Sequence, residues 1–260
     1  MPHESRAVAL TIAGSDPTGG AGLQLDLQVF ALHGVHGMAV PTALTVQTTK
    51  GVRRTSPVFP SVVAEQISAL LDDVRPHALK LGMLATDDVL LAVANALDRH
   101  AIPRVVDPVF RASDGSFLLE QRALGNLVER LIHGAALVTP NLSEAEALTG
   151  ETDPERAARA FLELGAEAAL VKGGHAEGPP DDYLATRAGT GVWLRGTRSD
   201  VGPVHGTGCA LSAAITARLA RGESLEPAVR AAKDWVARAI AESVALGKGA
   251  RILGLRAARD

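Results

Sequence analysis

The sequence predicts an α/β protein: a central, mostly parallel sheet flanked by helices on both faces, with a small β-hairpin late in the chain. Three observations lead there. Short apolar runs alternate with stretches of helical periodicity along nearly the whole length. Glycine- or proline-bearing strings follow the apolar runs, where the strands of a parallel sheet present their carboxyl ends. Two short runs, 183–186 and 192–194, flank Arg187-Ala-Gly-Thr-Gly and read as the hairpin.

The elements follow in order. Residues 8–13 form a strand, the glycine-rich 14–22 a loop, and 22–33 a helix. A second strand covers 38–46. Over 61–73 the residues Val62, Val63, Ile67, Leu70 and Leu71 make one helical stripe, with Ser61 as N-cap. A strand at 77–81 precedes a helix that Thr86 caps and that runs to 99, and a strand covers 104–107. Then come a strand at 137–139, helices at 143–148 and 154–164, and a strand at 168–172. Beyond the hairpin, two Ala-rich helices occupy 206–221 and 225–246. There is no long linker, repeat or low-complexity tract, so 1–260 reads as a single domain.

Composition narrows the function classes. Apolar residues make up 47% but aromatics only 3%, so the core rests on Ala, Val and Leu. A formal charge of −3 without a basic patch argues against a nucleic-acid partner. No apolar run approaches the roughly 20 residues a membrane helix needs, and the N-terminal residues lack a signal-peptide pattern. Cys209 is the one cysteine, which excludes an internal disulfide and fits a reducing, cytoplasmic setting.

Several strings carry candidate chemistry, each with a structural alternative. His205-Gly-Thr-Gly-Cys opens a helix, where bare amides and the dipole favour an anion and the thiolate of Cys209; alternatively it is a turn before a small buried hydrophobe. Gly14-Ser-Asp-Pro-Thr-Gly-Gly-Ala-Gly lacks the Lys-Ser/Thr of a P-loop and the spacing of a dinucleotide fingerprint. It is either a close approach to a small ligand or a strand-to-helix turn. Asp26 faces a ligand or is a solvated first-turn acid. Asn141 and Glu144, three apart, suit the water shell of Mg²⁺; the alternative is capping around Ser143 and Glu146. Asp107 ends a buried strand and Lys172 ends another beside two glycines, a partner for phosphates or a surface lysine before a turn. His33 and His36 make a poor metal site. Asp72-Asp73, Asp87-Asp88 and Asp181-Asp182 read as helix-end or loop charges, and Trp193 and Trp235 as packing residues. No G-x-S-x-G hydrolase signature is present.

Taken together, residues 10–22, Thr42-Ala-Leu-Thr-Val-Gln, Lys80-Leu-Gly-Met-Leu, Val106-Asp-Pro-Val, Thr139-Pro-Asn-Leu-Ser-Glu-Ala-Glu, Val171-Lys-Gly-Gly-His and His205-Gly-Thr-Gly-Cys resemble the hydroxymethylpyrimidine/phosphomethylpyrimidine kinase family of thiamine biosynthesis. The resemblance implies a ribokinase-like fold and Mg-ATP-dependent phosphorylation of 4-amino-5-hydroxymethyl-2-methylpyrimidine and its monophosphate. By carry-over, Gln47 binds the aminopyrimidine edge and Gly14, Ala21, Asp26, Met83 and Val109 line the same pocket. Cys209 is the catalytic base, and Gly206, Thr207 and Gly208 form the anion hole. Lys172 meets ATP phosphates, while Asp107, Asn141 and Glu144 organise Mg²⁺, partly through water. The family also implies a homodimer. The sequence departs from the family pattern at Phe110-Arg-Ala-Ser-Asp-Gly, at Gly202-Pro-Val-His and at Gly247-Lys-Gly-Ala-Arg-Ile-Leu. Two alternatives stand beside this reading: a pyridoxine/pyridoxal kinase, and a non-catalytic ligand-binding protein of the same fold.

Overall fold

The computed structural model describes residues 6–111, 115, 117–174, 178–189 and 191–258. Parts of three strings discussed above, 112–114, His175 and Thr190, lie outside the described residues.

A nine-stranded sheet organises the described residues. Its strands are β1 (Val8–Ser15), β2 (His36–Thr48), β3 (Gly51–Pro57), β4 (Ala78–Leu81), β5 (Arg104–Val106), β6 (Leu137–Val138), β7 (Ala168–Val171), β8 (Asp182–Thr186) and β9 (Gly191–Leu194). The spatial order is β3-β2-β1-β4-β5-β6-β7-β8-β9. From β2 to β7 all neighbours are parallel, while β3, β8 and β9 run antiparallel at the two edges. The hairpin β8–β9 is the one expected from sequence.

The helices are α1 (Gly22–Leu32), α2 (Pro60–Asp73), α3 (Asp87–Leu97), a composite segment 121–132 (α4), α5 (Leu142–Thr149), α6 (Pro154–Glu163), α7 (Thr207–Ala220) and α8 (Leu225–Ala241). Alternate strand residues point to opposite faces. Leu10, Leu79 and Val106 join the core under α2, α3, α4 and α6. Ala9, Ala78 and Val105 join the one under α1, α7 and α8. The second face takes small residues from the sheet and alanines from α7, so helix and sheet approach closely. That is how a core poor in aromatics fills its space.

Local departures from the sequence reading have physical causes. Helix α2 begins at Pro60, whose fixed φ suits the first helical position, so its N-cap is Phe59 and Ser61 lies inside the helix. Strand β3 has no counterpart among the expected elements, because Arg53, Arg54 and Ser56 leave it no apolar face; it is an exposed edge. Segment 121–132 is helical although no helix was expected there, and it includes a π turn at Leu127–Ile132. Helix α8 stops at Ala241 rather than 246, because Val244 turns to pair with Ile252. A two-stranded parallel sheet, β10 (Val204–His205) with β11 (Arg251–Ile252), also lay beyond the sequence reading.

Candidate active site

Strand order reverses around β1, with β2 on one side and β4 on the other, and such a switch point opens a crevice at the strand carboxyl ends. A cleft of about 610 Å³ occupies that position. Every residue assigned a site role above lines it except Asp26.

One wall is the start of α7. Gly206 is the N-cap with φ 80°, a conformation open to glycine. A Cβ there would stand 1.9 Å from the Gly20 carbonyl oxygen, so the two glycine loops touch. The leading amides of α7 therefore face the cleft with no side-chain cap. A Cβ on Gly208 would lie 3.1 Å from Lys172 Nζ, which places the ammonium over this helix mouth.

Lys172 is not a surface lysine. Its Nζ lies 3.0 Å from Asp107 Oδ1 and 3.9 Å from Glu144 Oε2, and the two carboxylates hold it protonated against the pull of burial. Asp107 is buried and also accepts from Thr139 Oγ1 and Ser212 Oγ, each at 3.1 Å. Burial opposes its charge, but Lys172 and Lys80 hold it below the usual carboxylate range. Asn141 and Glu144 form a capping box for α5: Asn141 Oδ1 accepts from the Glu144 N–H at 2.8 Å and Glu144 Oε2 from the Asn141 N–H at 2.7 Å. The cap thus belongs to this pair, not to Ser143 and Glu146. Burial pushes the Glu144 carboxyl up to about 7, with Lys172 opposing and Asp107 assisting. Among the described residues no three His, Cys, Asp or Glu side chains cluster in a way that would cage a metal.

Cys209 lines the cleft on the first turn of α7. Its acidity is opposite to the expectation of a favoured thiolate. Burial pushes the thiol up to about 11; Lys80 pulls it back, and the Asp107 and Asp26 carboxylates push it further. The dipole of one helix does not offset two nearby negative charges in a buried setting.

Asp26 is neither a pocket-lining residue nor a solvated first-turn acid. It is fully buried, with Oδ1 2.6 Å from Lys80 Nζ and Oδ2 2.6 Å from Thr11 Oγ1. Lys80 occupies an interior position on the α1/α7 face of β4 and does reach the cleft. Asp182, read from sequence as a loop charge, is buried as well. It accepts from the Gly173 N–H and pairs with Lys233 at 2.6 Å, fixing the loop after Lys172.

At the other end, Gln47 projects from the extension of β2 and its side-chain amide lies 2.9 Å from His205 Nε2. His205 Nε2 is in turn 3.0 Å from Asp16 Oδ2. Burial would raise the Asp16 carboxyl, but hydrogen bonds from His205 and Thr18 keep it below its ordinary range. Gly14 sits under Met83, whose sulfur would be 2.8 Å from an added Cβ. Lys80, Asp16 and His205 all lay within the quoted strings but had no role assigned from sequence, since nothing local shows that they meet.

A family model described as phosphomethylpyrimidine kinase matches residues 16–253. The chain belongs to the phosphomethylpyrimidine kinase family. A hydroxymethylpyrimidine/phosphomethylpyrimidine kinase of Synechococcus elongatus is 41% identical over 95% of this chain and 96% of its own length. Among solved structures, the phosphomethylpyrimidine kinase of Clostridium difficile is 36% identical with a TM-score of 0.80, covering 90% of this chain and all of the other. The pyridoxal kinase of Staphylococcus aureus in complex with ADP is 30% identical with a TM-score of 0.88, over 97% and 94% of the two chains. The ribokinase-like architecture and kinase character expected from the resemblance therefore hold for this member of the family. No helix among the described residues is long and apolar enough to cross a membrane.

Proposed function

We propose that the protein transfers the γ-phosphoryl group of ATP to the hydroxymethyl oxygen of 4-amino-5-hydroxymethyl-2-methylpyrimidine, and then to the resulting monophosphate, in thiamine biosynthesis in the cytoplasm. The observation that carries this reading is the meeting, in one cleft of a chain of this family, of an uncapped helix mouth, a thiol, a buried lysine and a carboxamide. The carboxamide of Gln47 offers both an acceptor and a donor to an aminopyrimidine edge. Gly14, Ala21, Met83 and Val109 supply the walls around the ring. Gly206, Thr207 and Gly208 present amides to the phosphoryl oxygens, and Lys172 adds a positive charge beside them. Val236, Ala237 and Ile240 of α8 give the cleft an apolar side suited to the adenine base.

Asp107 and Glu144 are two carboxylates in reach of one ammonium, with the Asn141 amide spent on the cap. That set fits Mg²⁺ held mainly by water and phosphates, with few direct protein ligands. When bound, the ion would neutralise charge on the phosphates. Cys209 takes the acceptor's proton as the thiolate. Its high resting pKa makes that form scarce at neutral pH and strongly basic once formed. Positioning and charge stabilisation supply most of the rate in such transfers.

The nearness of the fold to a pyridoxal kinase keeps pyridoxal as a second acceptor in the test. Purified protein, ATP and Mg²⁺ are incubated with the pyrimidine or with pyridoxal, and products are read by mass spectrometry. Pyrimidine mono- and diphosphate are expected in excess over pyridoxal phosphate. A large pyridoxal preference overturns the substrate, and absence of any product at high enzyme overturns the kinase in favour of a binding protein. We also infer a homodimer, in which a second copy covers exposed Leu44, Val46 and Phe59 beside the β3 edge. Sedimentation should give twice the chain mass, and a monomer at micromolar concentration removes that inference.

A further inference from the structure

The side-chain amide of Gln47 has two nearly isosteric ends, and its neighbours decide which end is the carbonyl. On one side stands His205 Nε2 at 2.9 Å, itself 3.0 Å from Asp16 Oδ2. A carboxylate can only accept, so His205 Nε2 must carry a proton toward it. A second N–H pointed at that same protonated nitrogen would be repelled. The Gln47 end facing His205 is therefore its oxygen. On the other side stands Thr45 Oγ1, 3.2 Å from the amide end that the structure sets as Oε1, with Nε2 set toward His205. The Thr45 hydroxyl spends its one proton on the Ser15 carbonyl at 2.8 Å, which leaves it as an acceptor. The end of Gln47 facing Thr45 is therefore the NH₂ group. Both neighbours demand the same orientation, with the two amide ends exchanged relative to the Nε2–His205 and Oε1–Thr45 pairing.

That orientation has a consequence for the acceptor, and here the inference rests on the pyrimidine reading above. In the substrate ring the nitrogen N3, the 4-amino group and the 5-hydroxymethyl group follow one another along one edge. Gln47 donates to the ring nitrogen and accepts from the amino group, so the hydroxymethyl lies beyond the carbonyl, on the His205 side. His205 runs directly into Gly206 and the first turn of α7, where Cys209 sits. With the amide reversed the ring turns over and the hydroxymethyl points toward Thr45, away from the thiol. We propose that Asp16 and His205 are positioning residues that lock the Gln47 amide and thereby aim the substrate hydroxyl at the helix α7 mouth. Strand β11 contributes by holding His205 in β10, and Ile252 and the His205 ring both border Gly20.

The test combines kinetics with a direct view of the amide. His205→Leu should raise KM for the pyrimidine at least about tenfold, and kcat should fall by a similar factor. KM for ATP should stay within about twofold, because the reading above gives Gln47 to the pyrimidine and the phosphates to Lys172 and the α7 mouth. His205→Gln, which can return an N–H to the same place, should restore most of the loss. Because His205 acts through Gln47, the double variant Gln47→Ala/His205→Leu should be no worse than Gln47→Ala alone, within about threefold. Multiplicative losses, or equal damage to the ATP KM, overturn the proposal. In the unmodified protein, the Gln47 side-chain NH₂ protons should show NOEs to Thr45 and none to the His205 ring. The reverse pattern overturns it even if the variants fail to fold. An active wild type with the wrong NOE pattern sinks the positioning role alone, whereas an inactive wild type sinks the substrate reading and the aiming step with it.

Discussion

Lys80 Nζ lies 2.6 Å from Asp26 Oδ1, and neither side chain exposes any surface. The pair joins β4 to α1 directly beneath the cleft, with Thr11 accounting for the second carboxylate oxygen. Buried charges tolerate the loss of both partners better than the loss of one. Asp26→Ala is expected to destabilise the fold by about 3–5 kcal/mol, read as a lowered urea midpoint. The paired replacement Asp26→Leu/Lys80→Met should recover most of that stability. It should not recover turnover, because the positive charge near Cys209 is gone.

Glu144 provides a pH signature. The folded protein raises its carboxyl from 4.5 to about 7, so it binds that proton more tightly than the unfolded chain does. The associated stability is complete below about pH 4.5 and is lost as pH climbs through 7. Glu144→Gln keeps an acceptor for the Asn141 N–H without the charge. At pH 8 the variant should be more stable than the parent by on the order of 1–3 kcal/mol, and near pH 4.5 the two should coincide. Melting curves across that range decide it. Turnover should drop in the variant at every pH.

Cys209 should be a slow nucleophile toward reagents. With the thiol raised from 9.0 to about 11, alkylation by iodoacetamide at pH 7.5 should be about 100-fold slower than for an unperturbed cysteine, and should accelerate as pH rises. If the thiolate is the base, kcat/KM for the pyrimidine climbs between pH 7 and 9. Cys209→Ser should lose roughly 10²–10⁴ in turnover, together with that climb, while its melting temperature stays close to the parent's. Near-normal rates in the serine variant would remove the proposed base.

Gly206→Ala tests the helix mouth. The new methyl meets the Gly20 carbonyl at 1.9 Å in a backbone region that favours glycine, so the two loops must separate. A loss of about 1–3 kcal/mol in stability is expected, with a fall in turnover of more than about tenfold. Calorimetry and steady-state rates at saturating ATP measure the two effects separately.

The alternation of elements was legible because strands buried on both faces read as apolar runs, unbroken at Ala168–Val171 and interrupted only by Thr11 at Val8–Ala13. The edge strand β3 was not, since Arg53, Arg54 and Ser56 carry no burial pattern. In the site, glycine strings and strand-end acids announced themselves through residue type. What stayed hidden was who meets whom. Lys80 interrupts an apolar strand, a cue that an interior partner must exist, yet nothing in sequence names Asp26, 54 positions away. The union of Asp16, Gln47 and His205 spans loops up to 189 positions apart. The acidity of Cys209 failed as an expectation for the same reason. A helix start is a local feature, whereas the carboxylates that outweigh it arrive from β5 and α1.

The distribution of indoles gives the molecule a pair of built-in optical reporters. Trp235 lies in the layer of α1, α7 and α8, edge-on to the His33 ring at 4.9 Å, and Trp193 packs against the opposite layer beside Tyr183. They are the only two tryptophans in the chain. Replacing either with Phe leaves an emission that reports one side of the sheet alone. Superimposable denaturation traces from the two single-indole proteins would mean that both layers melt as one cooperative unit, and offset traces would reveal which side lets go first.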